Sequence, residues 1–155
     1  MQCHCNRCRG SDSTEVDLGP RQRWLLAALA MSNGSVVPSE RLADIVWAGS
    51  PPDGAVTTLR SYVTRLRRTV GSADRRIVFR EPGYVIELAT DELDSASFDE
   101  ELDRALRHLR TADAGAAREL LETAVGRWRG AAYAGFADEE WARPECVRLE
   151  ERLVD

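Results

Sequence analysis

The chain is 155 residues long, 43% hydrophobic and 30% charged, with a formal net charge of -5, the profile of a folded soluble protein with room for one ordinary domain or two small ones. It holds no apolar run of the roughly 20 residues needed to cross a bilayer, and its start, MQCHCNRCRG, lacks the apolar middle of a secretory signal, so the expected location is the cytoplasm. All 21 basic residues are arginine, whose planar fork pairs with phosphates and guanine edges better than lysine does.

Residues 1–14 show no apolar period and read as a disordered tail. Within it, CHCNRC brings Cys3, Cys5 and Cys8 around His4. These are metal-binding residue types, but a structural zinc site draws on two ligand pairs separated by a folded segment. The fourth cysteine, Cys146, lies far away in a helical context. The expectation is no metal and no cofactor, with a metal-sensing regulator built on this run as the alternative. A disulfide framework does not suit a cytoplasmic chain.

EVDLG reads as one short strand, after which Pro20 opens a helix at a favoured first-turn position. Trp24, Leu25, Leu26, Ala28 and Leu29 give that helix a core face, and Asn33-Gly34 stops it. SVVPS is an extended link, and Ser39 is a candidate N-cap for a second helix over 40–47, with Leu42, Ile45 and Val46 on one side. The two prolines of AGSPPD set a loop. A third helix follows over AVTTLRSYVTRLRRTVG, residues 55–71.

At about 100° per residue, Val56, Leu59, Val63, Leu66 and Val70 of that helix fall in one narrow arc. Burying the arc turns Thr57, Ser61, Thr64 and Arg68 outward, with Thr58 and Arg65 on one flank and Arg60 and Arg67 nearer the core boundary. No acid occurs between residues 54 and 68. An ordinary solvated helix face mixes glutamate with arginine. A face of guanidinium and hydroxyl groups suits the major groove of DNA, where arginine bonds guanine edges and Ser or Thr reaches phosphates or bases.

Beyond Gly71 the period changes. RIVFR and GYVIEL are β-rich runs joined by EPG and read as a hairpin, with Arg75, Arg76 and Arg80 flanking its tip. Narrow minor grooves attract such arginines. ATDELDSAS is the boundary, and helical spacing then returns in two stripes. Phe98, Leu102, Ala105, Leu106 and Leu109 form the first; Ala116, Ala117, Leu120, Leu121, Ala124 and Trp128 form the second. A last helix starts near Trp141. Charge divides at the same boundary: residues 1–90 carry 12 arginines against nine acids, and residues 91–155 carry nine against 17. An anionic partner suits the first part alone.

The pieces RQRWLLAAL, RLADIVW with PP downstream, LRSYVTRLRR and PGYVIEL, in that order, resemble the OmpR/PhoB-type winged helix-turn-helix. More closely, they are similar to its version in actinobacterial antibiotic regulatory proteins, the SARP family. DSASFDEELDRALRHL, AARELLETAVGRWRG and FADEEWARPECVRLEERL resemble the opening helices of the bacterial transcriptional activation domain that follows it in that family. The likeness implies a mainly α fold with a small β-hairpin wing: a winged helix-turn-helix over 15–90, then a partial tetratricopeptide-like helical array over 94–155. It also implies more strands before the first helix and more repeats after the last, so the chain reads as truncated at both ends.

The resemblance implies a sequence-specific DNA-binding transcriptional regulator of the activator type. Arg65 falls at a position used for base contact. Thr57, Thr58, Ser61, Thr64, Arg67 and Arg68 fall at groove or phosphate positions, and Arg80 where a wing arginine enters the minor groove. The implied partners are double-stranded DNA, RNA polymerase or another protein at the acidic helical half, and a second copy on DNA. Trp47, Tyr62 and Tyr84 read as core. The competing class is a helical protein-interaction adaptor, or a degenerate gene fragment, that has lost DNA binding and uses Trp128, Tyr133, Phe136 and Trp141 as a contact surface, against the simpler reading of those rings as packing. Catalysis is not expected: there are two histidines, His4 and His108, and no phosphate loop, nucleophile elbow or paired-carboxylate arrangement.

Overall fold

The computed structural model describes residues 18–69 and 76–154, so the tail with its cysteines, the first three residues of EVDLG (15–17), Val70 and Arg75 lie outside the described residues. The chain divides into two compact units that part after Leu88.

The first unit is built on helix α1 (Pro20–Met31), which has Pro20 in its first turn and the Gly19 N–H bonded to Gln22 Oε1 at 3.2 Å. All six residues 25–30 are buried. The helix is therefore enclosed on most sides, not on one stripe, and the uninterrupted apolar run WLLAALA is the sign of it. Gly34, at φ +77°, takes the left-handed conformation that ends the turn. Beside it, the Asn33 amide mimics a strand: Nδ2 donates to the Leu88 carbonyl at 3.0 Å and Oδ1 accepts from the Leu88 N–H at 2.9 Å.

The link after α1 is a strand. β1 (Val37–Pro38), β2 (Ile77–Arg80) and β3 (Gly83–Ile86) form an antiparallel sheet in the order β1-β3-β2. Val37 pairs with Tyr84 and Pro38 with Gly83, while Ile77 pairs with Ile86 and Arg80 with Gly83. The hairpin read from sequence is thus two strands of a three-stranded sheet, with β3 in the middle. Glu81 and Pro82, joined by a cis peptide bond, make its turn, and Gly83 belongs to the strand. A Cβ on Gly83 would lie 1.8 Å from the Val37 carbonyl oxygen, so the glycine is there for β1 and not for the turn.

Helix α2 (Ser39–Val46) buries Leu42, Ala43, Ile45 and Val46. Its N-cap is Pro38, with no side-chain cap bond, so Ser39 is the first helical residue and not the cap; its N–H is held instead by the Pro82 carbonyl at 3.2 Å. Helix α3 (Ala55–Thr69) buries Leu59 and Leu66 completely and Val63 to 1% exposure, with Ala55 beside them. Val56, expected in this seam, is half-buried at its edge.

The second unit contains a short 3-10 turn (Thr90–Glu92) and helices α4 (Asp94–Arg110), α5 (Ala114–Gly126) and α6 (Arg143–Val154). Phe98, Ala105, Ala117, Ala124, Tyr133, Cys146 and Leu149 are buried. Alanines at the helix contacts permit close approach of the backbones. Asp113 caps α5 through Oδ1, which accepts from the Ala116 N–H at 3.2 Å. Burial raises the Cys146 thiol pKa. Leu106 and Leu109, expected in the α4 core stripe, are 41% and 49% exposed. They sit where no element among the described residues covers that side of α4, and Ala105 and Phe98 carry the contact. In the 128–141 segment aromatic rings serve as packing: Tyr133 is buried with its hydroxyl 3.0 Å from Ser95 Oγ, and the half-buried Trp128 meets Phe98 edge-on at 5.5 Å.

Candidate nucleic-acid interface

Burial of the Leu59–Val63–Leu66 seam leaves Thr57, Thr58, Ser61, Thr64, Arg65 and Arg68 exposed together on α3. Arg60 is exposed beside them. Among the described residues, no hydrogen bond or ion pair engages the side chains of Thr57, Ser61, Arg65 or Arg68. The cause is local. An arginine on a helix pairs most readily three or four residues away, and the residues at those spacings from Arg65 are Ser61, Tyr62, Arg68 and Thr69. None is acidic.

The two remaining hydroxyls are partly occupied. Thr64 Oγ1 donates to the Arg60 carbonyl at 2.9 Å, and Thr58 Oγ1 sits 3.4 Å from that of Gly54. Such back-bonding points the hydroxyl hydrogen into the helix. To donate to a phosphate, each must rotate away from its carbonyl.

Arg67 behaves differently from its neighbours. It is half-buried, and its Nε and Nη2 both donate to the Ile77 carbonyl, at 2.9 and 2.7 Å. It faces the base of the sheet, not the open ridge. Arg80 ends β2 beside the Glu81–Pro82 turn. It pairs with Glu87 at 2.8 Å, and both side chains are more than half exposed. Exposed pairs of this kind contribute about 0–1 kcal/mol and weaken with salt, so a phosphate competes readily for the guanidinium. Next to it Phe79 is 51% exposed and meets Tyr84 edge-on at 5.3 Å. Strict alternation through RIVFR puts Phe79 on the face of Ile77.

The aromatic residues read as core divide in two. Tyr84 is buried. Trp47 and Tyr62 are half-buried and stack at 5.8 Å with 20° between ring planes, while the Arg21 guanidinium lies 5.2 Å above Trp47. This stack locks α3 against the end of α2. It contributes orientation and leaves Arg65 and Arg68 unobstructed.

The second unit presents the opposite pattern. Arg127 forks onto Glu101 at 2.8 and 2.6 Å. Arg148 forks onto Asp99 at 3.1 and 2.8 Å and onto Glu145 at 2.8 and 2.7 Å. Arg152 reaches Asp99 at 3.1 Å and also bonds Asp103. Hydrogen bonds to these carboxylates raise the pKa values of Arg127, through Glu101, and of Arg148, through Glu145 and then Asp99.

No group of three or more His, Cys, Asp or Glu side chains among the described residues is arranged to hold a metal ion, and no helix among them is long and apolar enough to cross a membrane. The CHCNRC run lies outside them.

Comparison with known proteins divides the chain at the same place. A family model described as "Transcriptional regulatory protein, C terminal" matches residues 13–86, and one described as "Bacterial transcriptional activator domain" matches residues 93–155. Regulatory protein AfsR of Streptomyces griseus is 32% identical over 135 residues, which cover 84% of this chain and 14% of that protein. Transcriptional regulatory protein EmbR of Mycobacterium tuberculosis is 30% identical over 148 residues, covering 92% of this chain and 38% of EmbR. Regulatory protein DnrI of Streptomyces peucetius is 28% identical over 151 residues, covering 92% and 55%. Among solved structures, M. tuberculosis EmbR in complex with a low affinity phosphopeptide superposes with a TM-score of 0.80 at 26% identity, over 88% of this chain and 37% of that one. The chain therefore spans only part of each of these relatives.

Proposed function

We propose, from the premise that this chain belongs to the SARP family of transcriptional regulators, that its first unit reads a specific duplex DNA sequence and its second carries the regulatory contact with protein. In this reading α3 lies in the major groove. Arg65 bonds a base edge, and Thr57, Thr58, Ser61, Thr64 and Arg68 hold groove edges or phosphates. Arg80 leaves Glu87 for the minor groove. The domains run over 15–90 and 94–155, and the regulator works in the cytoplasm, without catalysis.

The observation that carries the reading is the open, acid-free ridge of α3. Four arginines and no carboxylate lie between residues 54 and 68, and Arg65 and Arg68 are exposed there. A ridge of this kind gathers phosphate contacts and places a bidentate donor at a guanine. For the helical unit, exposed Leu106, Leu109 and Val125 on a strongly acidic background favour a protein partner: RNA polymerase, or a second copy on adjacent DNA sites.

Selection of bound duplexes from a random pool at physiological salt tests the reading. One enriched motif is expected, with affinity falling steeply as salt rises. Arg65→Ala is expected to cost about 1–3 kcal/mol and to relax one position of the motif. A uniform loss across all sequences removes Arg65 from base reading.

A further inference from the structure

We propose that Arg67 is the strut that sets the wing on the recognition helix, so that minor-groove contact by Arg80 depends on a side chain that need not touch DNA. The inference rests on the DNA-binding reading and deepens it. Its basis is the double donation from Arg67 Nε and Nη2 to the Ile77 carbonyl at 2.9 and 2.7 Å. Both donors belong to a rigid, charged fork, and charge-assisted bonds of this type are shorter and stronger than neutral ones. Ile77 is fully buried and is the first residue of β2. It is held on its other side by register with Ile86. The carbonyl that Arg67 grips is thus the root of the wing, and the grip comes from the last turns of α3.

Arg80 stands three residues along the same strand, about 10 Å from that root at the usual strand rise. A tilt of about 10° at Ile77 moves the Arg80 end by about 2 Å over that lever, enough to break a hydrogen bond to a groove edge. The exposed Arg80–Glu87 pair is too weak to correct it. The geometry separates Arg67 from Arg65 and Arg68: all three are arginines on one helix, but only Arg67 has its fork directed into the protein.

The test uses the full chain, the duplex that the wild-type chain selects from a random pool, and four variants: Arg67→Ala, Arg67→Lys, Arg80→Ala and the Arg67→Ala/Arg80→Ala double. If Arg67 acts through Arg80, each alanine variant loses about 10-fold in affinity and the double variant loses about 10-fold as well, not the roughly 100-fold of independent contacts. In the Arg80→Ala background, Arg67→Ala leaves the salt slope unchanged. Amide hydrogen exchange on the free protein gives the second readout. Arg67→Ala speeds exchange across Ile77–Arg80 and Gly83–Ile86, and Arg67→Lys, which keeps a donor, restores protection and affinity together. Additive losses, or wing amides that remain protected in Arg67→Ala, overturn the strut. A wild-type chain that selects no duplex overturns the DNA-binding reading itself and with it the coupling, whereas a strut failure leaves wild-type selection intact.

Discussion

Arginine has different surroundings in the two units. In the helical unit Arg127, Arg148 and Arg152 each fork onto carboxylates of a neighbouring helix or of their own. In the winged-helix unit Arg65 and Arg68 stand exposed on a helix without acids. The residue type is the same, and so is the helical setting. What differs is the spacing of carboxylates: Arg118 has Glu122 four residues on and Arg148 has Glu145 three residues back, whereas Arg65 has Ser61 and Arg68 at those distances. Net charge counts arginines; it does not tell which of them is available to a phosphate. Pairing does.

The comparison breaks most severely if the seam orienting α3 is removed. Leu66→Ala empties a fully buried position and is expected to destabilise the first unit by about 2–5 kcal/mol, read by denaturant unfolding. DNA affinity should fall with the folded fraction. Gly83→Ala comes next. Its Cβ meets the Val37 carbonyl, so β1 must separate from β3, at a cost of about 1–3 kcal/mol; thermal unfolding measures it, and an unchanged midpoint means the sheet gives way without strain.

A smaller effect sharpens the contrast between paired and open arginines. Arg148→Ala strands Glu145 and leaves Asp99 to Arg152 alone; both carboxylates are only about a quarter exposed, and the change is expected to cost about 1–2 kcal/mol of stability in the helical unit. DNA affinity should stay unchanged. Arg68→Ala is the mirror case, with stability within about 0.5 kcal/mol of wild type but a salt slope lower by about one phosphate contact. Arg118→Ala removes a largely exposed pair and is expected to move both readouts by less than about 0.5 kcal/mol. If Arg148→Ala and Arg68→Ala have the same profile, the distinction between the two units is lost.

Several features were legible because they are local. The Leu59–Val63–Leu66 seam, the acid-free ridge opposite it and the stop at Asn33-Gly34 follow from spacing along one helix or one turn, and the structure has all three. The third strand was not legible: two residues, Val37 and Pro38, make too short a run to show alternation, and pairing with Tyr84 and Gly83 forms only when the chain closes. Gly83 looked like a turn residue and is a contact residue instead. Leu106 and Leu109 fit the helical period of α4 yet are exposed, because periodicity states which face is apolar and not whether a neighbour arrives to cover it.

By itself, then, the sequence determined the two-part order, the face that α3 turns outward and the lack of acids near Arg65 and Arg68, since each depends on neighbours within a turn or two. The tertiary structure alone decided that Arg67 turns to the Ile77 carbonyl, that Arg80 rests on Glu87 and that Gly83 sits against Val37. Those partners lie ten, seven and 46 residues away along the chain, and only folding brings a donor to an acceptor, or a backbone to a backbone, across such separations.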